Sequence, residues 1–299
     1  LCYGAIHGPT TPAARHKGLH NDDEVRVPAD LFPPREGKPD YLNKTQAWVR
    51  GPNGEIIAGK SGETFGDESK KKKATYQDYI HQVSECVEAL DEGVGTVMAA
   101  LKESGQLENT LVIYTADQGF SMGEHGFRTK LAPYDANYRS PLVVSMPGTL
   151  PAGATCAHCV TSPDLVVTFH KFAGIEPAWP MHGHDLTPLL KDPAAPWPYA
   201  AFYEFAGEHY GREVAKVVND SPANAVYHDV PWYVVARNDR WKLIHYLEAG
   251  QGEELYDLQN DPEELANVAG KAENKPLIEK LRDALKAELK RTDAGFTIQ

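Results

Sequence analysis

Residues Thr110 to Thr115 form an apolar, β-branched run of strand length with no polar alternation. A strand with one wet face alternates, so this run predicts a strand buried on both faces, as in a parallel sheet. Before it, Tyr76, Tyr79, Ile80, Val83, Val87, Leu90, Val94, Val97, Met98 and Leu101 recur at three- and four-residue steps, closed by Ser104-Gly105. That spacing predicts an amphipathic helix over 76–101. Helix, strand and loop in this order make an α/β unit. The strand ends in Asp117, Gln118 and Gly119, and ligand chemistry in such sheets sits beyond the carboxyl ends of the strands. A carboxylate beside an amide carbonyl offers two hard oxygen donors, suited to Ca2+ or Mg2+. Glycines at 123 and 126 then flank Glu124-His125, and Arg128 and Lys130 follow. A plain strand-to-loop turn with a solvated aspartate is the other reading of these residues.

The stretch T-A-D-Q-G-F-S-M-G-E-H-G-F-R-T-K, continuing L-A-P-Y-D-A-N-Y-R-S-P-L-V-V-S-M-P-G, resembles the second half of the type I sulfatases of the alkaline phosphatase superfamily. The resemblance implies an α/β fold, a mostly parallel sheet sandwiched by helices, with a small C-terminal α+β domain of antiparallel strands and a helix. It implies a calcium site (Ca2+, with Mg2+ as the alternative) to which Asp117 and Gln118 contribute, and a sulfate ester contacted by Lys130. His7, in the segment H-G-P, matches a family position that serves the ester or its leaving oxygen; on the residues alone it reads as a turn histidine. His125 and Arg128 are candidates for the substrate rim. The family's other metal-binding aspartates and its formylglycine nucleophile are expected upstream of this chain, so an N-terminal sulfatase portion is an expected partner. Thr11-x-Ala13-x-Arg15 has the outline of the nucleophile signature with threonine in place of cysteine or serine, and is read as coincidence.

The other segments are consistent with that reading. Leu1 to Ile6 reads as an opening strand, broken by His7-Gly8-Pro9. Residues 17–74 are polar and rich in Gly, Pro and charge, with a short hairpin arm expected at Ile56-Ile57 and a solvated helix start at Lys70 to Lys73. Arg139 is expected to partner a buried carboxylate. Pro141 to Met146 reads as a strand and Asp164 to Phe172 as a helix. His182 and His184 lie in a segment resembling the family's D-G-x-S-L-x-P-L-L and read as turn groups. Beyond Trp197 come strands at Tyr199–Phe205, Tyr233–Arg237 and Trp241–Tyr246, then Glu254–Leu258 and a helix start at Asp261, and an amphipathic helix over Leu277–Leu289. The expected domains are 1–197, a sulfatase α/β core lacking its N-terminal part, and 198–299, the α+β subdomain.

Composition narrows the function classes. The 299 residues carry a net charge of −12, which argues against a nucleic-acid partner, and no apolar run approaches the about 20 residues of a membrane span. Cys156 and Cys159 stand as C-x-x-C without a second pair, read as a local disulfide or two plain thiols; Cys86 reads as helix packing. The expected activity is hydrolysis of sulfuric esters, a sulfated polysaccharide being the favoured substrate, in the periplasm or outside the cell, with the isolated chain inactive. A phosphodiesterase or phosphonate hydrolase of the same superfamily and a non-catalytic sulfated-ligand-binding module are the competing readings.

Overall fold

The structure, a computed structural model, describes residues 1–8, 10–59 and 75–298; the Lys70 to Lys73 helix start lies outside them. In chain order the elements begin with α1 (Tyr41–Lys44), β1 (Trp48–Arg50), β2 (Ile56–Ala58), α2 (Tyr76–Glu103) and β3 (Val112–Thr115). Then come α3 (Asp135–Tyr138), β4 (Leu142–Ser145), α4 (Ser162–Ala173), α5 (Thr187–Lys191), β5 (Ala201–Phe205) and α6 (Arg212–Asp220). The chain closes with β6 (Val226–Tyr227), β7 (Val230–Pro231), β8 (Tyr233–Arg237), β9 (Trp241–Tyr246), β10 (Glu253–Asp257) and α7 (Lys275–Arg291).

Two compact units interleave in sequence. The first comprises Leu1–Pro34, Thr45–Val112 and Phe120–Lys130; the second comprises Arg35–Lys44, Ile113–Gly119 and Leu131–Gln299. The division expected at 197–198 is a single cut, and the four-stranded sheet lies wholly beyond it.

In the first unit α2 begins at a capping box: Thr75 Oγ1 accepts from Asp78 N at 3.1 Å while the Asp78 carboxylate accepts from Thr75 N at 2.9 Å. Two otherwise orphaned donors are thereby satisfied. β1 and β2 pair antiparallel as the expected hairpin arm. Leu31, Trp48, Ala58, Tyr76, Tyr79 and Val83 form the core. Leu1 to Ile6 is not a strand: it is irregular and largely exposed. An apolar run becomes a strand only where a neighbour completes its ladder, and no described residue supplies one here.

In the second unit β10, β9, β8 and β5 form an antiparallel sheet in that order. Ile278, Leu281, Leu285 and Leu289, the buried stripe of α7, pack with Trp232, Val234, Ala236, Leu243 and Leu255. The three- and four-residue steps of that stripe are the helical period read from the sequence. Asp261 starts no helix; its carboxylate accepts from Leu265 N at 3.0 Å and Ala266 N at 2.9 Å, closing a turn. β3 and β4 pair with each other. The burial expected on both faces is not reached, with Leu142 37% and Val143 59% exposed. Among the described residues these two strands pair only with each other.

Candidate active site

Asp117, Gln118 and Gly119 leave β3 as an irregular loop, as the sequence predicts. Asp117 is exposed and Gln118 half-buried. The Nε2 end of Gln118 is buried with no hydrogen-bond partner among the described residues. A buried amide end without a partner is unfavourable. The two ends of a glutamine amide exchange by a simple flip, which would turn the carbonyl oxygen to the same place. The donor set, a free carboxylate beside an amide oxygen, therefore fits part of a Ca2+ shell, two of the six to eight oxygens that ion takes. Among the described residues no group of three or more His, Cys, Asp or Glu gathers to hold a metal ion.

Gly119 follows without room for a side chain. A Cβ there would stand 2.4 Å from Ala136 O and 2.8 Å from Asn137 C, so the loop lies flush on the backbone of α3. What fixes α3 lies far from it in sequence. The Asp135 carboxylate accepts from Lys242 Nζ at 2.9 Å and from Arg237 at 3.1 Å. Lys242 is fully buried and also meets Glu264 Oε1 at 2.6 Å. The other oxygen of Glu264 accepts from Asp135 N at 2.6 Å. Burial alone would raise the Asp135 carboxyl; the charges of Lys242 and Arg237 overcome it and hold the group at about 2. Burial pushes Glu264 up, and Lys242 offsets only part of that. Lys242 is raised despite its burial, because Glu264 and Asp135 favour its charged form. Glu264 sits at φ +55°, a region unfavourable to a non-glycine residue.

The residues before α3 are held as firmly. Tyr233 donates to Leu131 O at 2.7 Å and Tyr203 to Pro133 O at 3.2 Å. Tyr134 donates to Glu254, whose carboxylate also accepts from Tyr246 and Tyr256. Tyr138 stacks on Tyr203 with ring centroids 4.1 Å apart.

The other predicted site residues belong to the first unit. His7 is exposed in a bend, with Nδ1 3.2 Å from Gly8 O. The loop 120–130 is closed by Ser121 N donating to Thr129 O at 3.0 Å and Ala47 N donating to Gly126 O at 2.8 Å. His125 is buried at φ +55°; its Nδ1 lies 2.6 Å from Asp30 Oδ2 and its backbone N donates to Asp30 Oδ1 at 3.0 Å. Its imidazole thus anchors the loop. Arg128 lies over the Tyr79 ring, 5.4 Å from the centroid. Burial raises the Tyr79 phenol and the Arg128 charge opposes it. Lys130 is half-exposed at the end of this loop.

Four further expectations can be placed in the fold. Arg139 is exposed and makes no ion pair among the described residues; the role expected of it belongs to Arg237 and Lys242. Arg15 of the T-x-A-x-R outline ion-pairs with Glu92 on α2, a structural use. Cys2, Cys86, Cys156 and Cys159 are free thiols. His184 stacks on Tyr199 at 3.6 Å, its N donating to the buried Asp164 carboxylate at 2.7 Å. His182 O accepts from Arg291.

A family model for "N-sulphoglucosamine sulphohydrolase, C-terminal" matches residues 123–291, and a "Sulfatase" model matches residues 32–175. The chain is 34% identical to an N-acetylglucosamine-6-O-sulfatase of Bacteroides thetaiotaomicron, over 90% of this chain and 53% of that protein. A structure solved with its substrate D-glucosamine-2-N,6-O-disulfate superposes with a TM-score of 0.78 at 25% identity, covering 97% of this chain and 64% of the other. A phosphonate monoester hydrolase of Agrobacterium radiobacter superposes with a TM-score of 0.60 at 26% identity, over 77% of this chain and 44% of the other. The chain spans about half the length of the curated relatives it matches. The fold is the alkaline-phosphatase-like one, with its C-terminal antiparallel sheet and final helix.

Proposed function

This chain belongs to the type I sulfatase family of the alkaline phosphatase superfamily, and from that premise we propose that it supplies part of the active site of an enzyme hydrolysing sulfuric esters of an amino sugar. The observation that carries the proposal is the Asp117-Gln118 pair, whose buried amide end lacks a partner, inside the region matched by the sulfatase model. Asp117 and Gln118 hold a divalent cation, Ca2+ by the oxygen character of the donors. When bound, that cation neutralises charge on the transferring sulfuryl group. Lys130 and His7 add local positive charge and a proton donor for the ester, in a protein whose overall charge of −12 offers an anion no general attraction. His125 holds the loop through Asp30, and Arg128 stands at its edge. The remaining metal ligands and the formylglycine come from an N-terminal sulfatase portion, and the protein acts in the periplasm or outside the cell. The sugar class follows the relatives, one of them named an N-acetylglucosamine-6-O-sulfatase and another solved with D-glucosamine-2-N,6-O-disulfate.

The test is co-expression of this chain with an N-terminal sulfatase half bearing the formylglycine signature. Release of sulfate from glucosamine 6-sulfate, lost in Asp117→Ala and Lys130→Ala, is the expected outcome. Turnover of an aryl sulfate by the purified chain alone would sink the shared-site reading. Hydrolysis of a phosphonate monoester faster than any sulfate ester would overturn the sulfuric-ester reading.

A further inference from the structure

We infer that Asp135, Arg237, Lys242 and Glu264 are positioning residues for the Asp117-Gln118 pair, acting through α3, so that the C-terminal sheet sets the geometry of the loop that holds the cation. The inference rests on the proposed role of those two residues as ligands.

Gly119 adjoins the second ligand and lies against α3 so closely that a single added carbon would meet Ala136 O at 2.4 Å. A displacement of α3 is therefore passed to the loop by hard contact; packed interiors do not absorb such shifts. α3 is four residues long and has no side-chain N-cap of its own, too short to hold its place by internal hydrogen bonds. Its position is instead dictated from β8, β9 and the turn at Glu264. Lys242 on β9 and Arg237 on β8 grip one carboxylate, and Glu264 takes the first backbone N–H of the helix. Both oxygens of each carboxylate are used, and the cluster balances two cations against two anions. Glu264 is held in a left-handed conformation that side chains avoid, and such outliers persist where the surroundings over-determine them. Tyr138, the last residue of α3, adds a hydroxyl contact of 2.7 Å to Tyr233 on β8. Groups behind a first ligand shell tune affinity by orienting the ligands.

The experiment is NMR of the full chain, following the amides of Asp117 to Gly119 and the Gln118 side chain, with and without Ca2+. Arg237→Met and Lys242→Met should move these resonances in the metal-free protein and weaken Ca2+ binding by about tenfold. Gly119→Ala should move both the loop and residues 136–138. Leu281→Ala, which lowers stability from the α7 core, and Arg240→Ala, which removes an exposed ion pair with Asp257, should leave the loop resonances in place. If Lys242→Met fails to fold, Arg237→Met and Gly119→Ala decide. The inference is overturned if residues 135–138 move while 117–119 keep their wild-type resonances, or if Leu281→Ala moves them equally. A wild-type chain whose Gln118 ignores Ca2+ defeats the ligand reading alone, because the metal-free shifts still judge the coupling.

Discussion

Two clusters of charge do opposite work in this protein. One, the outer cluster, lies along α2 with Arg15, Glu88 and Glu92 exposed and His16 and Glu85 buried: Glu92 takes Arg15 and His16, Glu88 takes His20, and Glu85 accepts from Gly18 N at 2.6 Å. The other joins Asp135, Arg237, Lys242 and Glu264 in the interior. Both tie an irregular segment to regular structure with carboxylates and cations. In the first, water competes for Arg15, Glu88 and Glu92, so their pairs contribute little. In the second, no partner is expendable, because a charge left alone in the interior has nothing to replace what it lost. The difference teaches that the number of ion pairs says less than where the unpaired state would leave each charge.

Removing the buried cation is the strongest way to break this contrast. Lys242→Met should destabilise the chain by about 3–5 kcal/mol in urea unfolding at neutral pH; a loss under about 1 kcal/mol would put the two clusters in the same class. Neutralising the stranded acids should come next: Lys242→Met with Asp135→Asn and Glu264→Gln should regain most of that loss. Acid should narrow the gap between Lys242→Met and wild type. Asp135 is depressed from 3.8 to about 2 in the folded protein, so its contribution is present above 3.8 and lost as pH falls through about 2. A gap constant from pH 7 to pH 3 would contradict this.

The outer cluster sharpens the comparison at the small end. The hydrogen bond to Asp23 raises His20 above its ordinary 6.5; desolvation opposes it and Glu88 adds to it. A raised histidine stabilises fully below its unfolded value and loses that contribution as pH rises through the folded one. Amide exchange over 16–23 should therefore speed between pH 6 and pH 8 beyond its intrinsic rise, and His20→Gln should remove the excess. Arg15→Ala should leave the unfolding midpoint where it is, checked by thermal denaturation beside Lys242→Met.

The elements legible in the sequence are those specified locally. The apolar spacing of α2 marks that helix from its own residues, and β8 and β9 fall at Tyr233–Arg237 and Trp241–Tyr246 as their apolar runs require. α6 was missed: Arg212–Asp220 has only Val214, Val217 and Val218 as apolar markers beyond an alanine, and β-branched residues do not announce a helix. Asp117, Gln118 and Lys130 can be nominated from the sequence by their chemistry, but the packing that positions their loop cannot. Lys242 reads as one polar residue in K-L-I, and nothing near it in sequence tells that it is wholly buried. Its partner Asp135 lies 107 residues away. Arg139 sits four residues from Asp135 and Arg237 far from it; proximity in sequence favoured the wrong arginine.

The contact at Gly119 has one more consequence. Every replacement of that glycine adds at least one carbon where the carbonyl of Ala136 already stands, so substitution is opposed at the position beside Gln118. A side chain at 119 is therefore accommodated only if the short helix beneath the loop is recast in the same step.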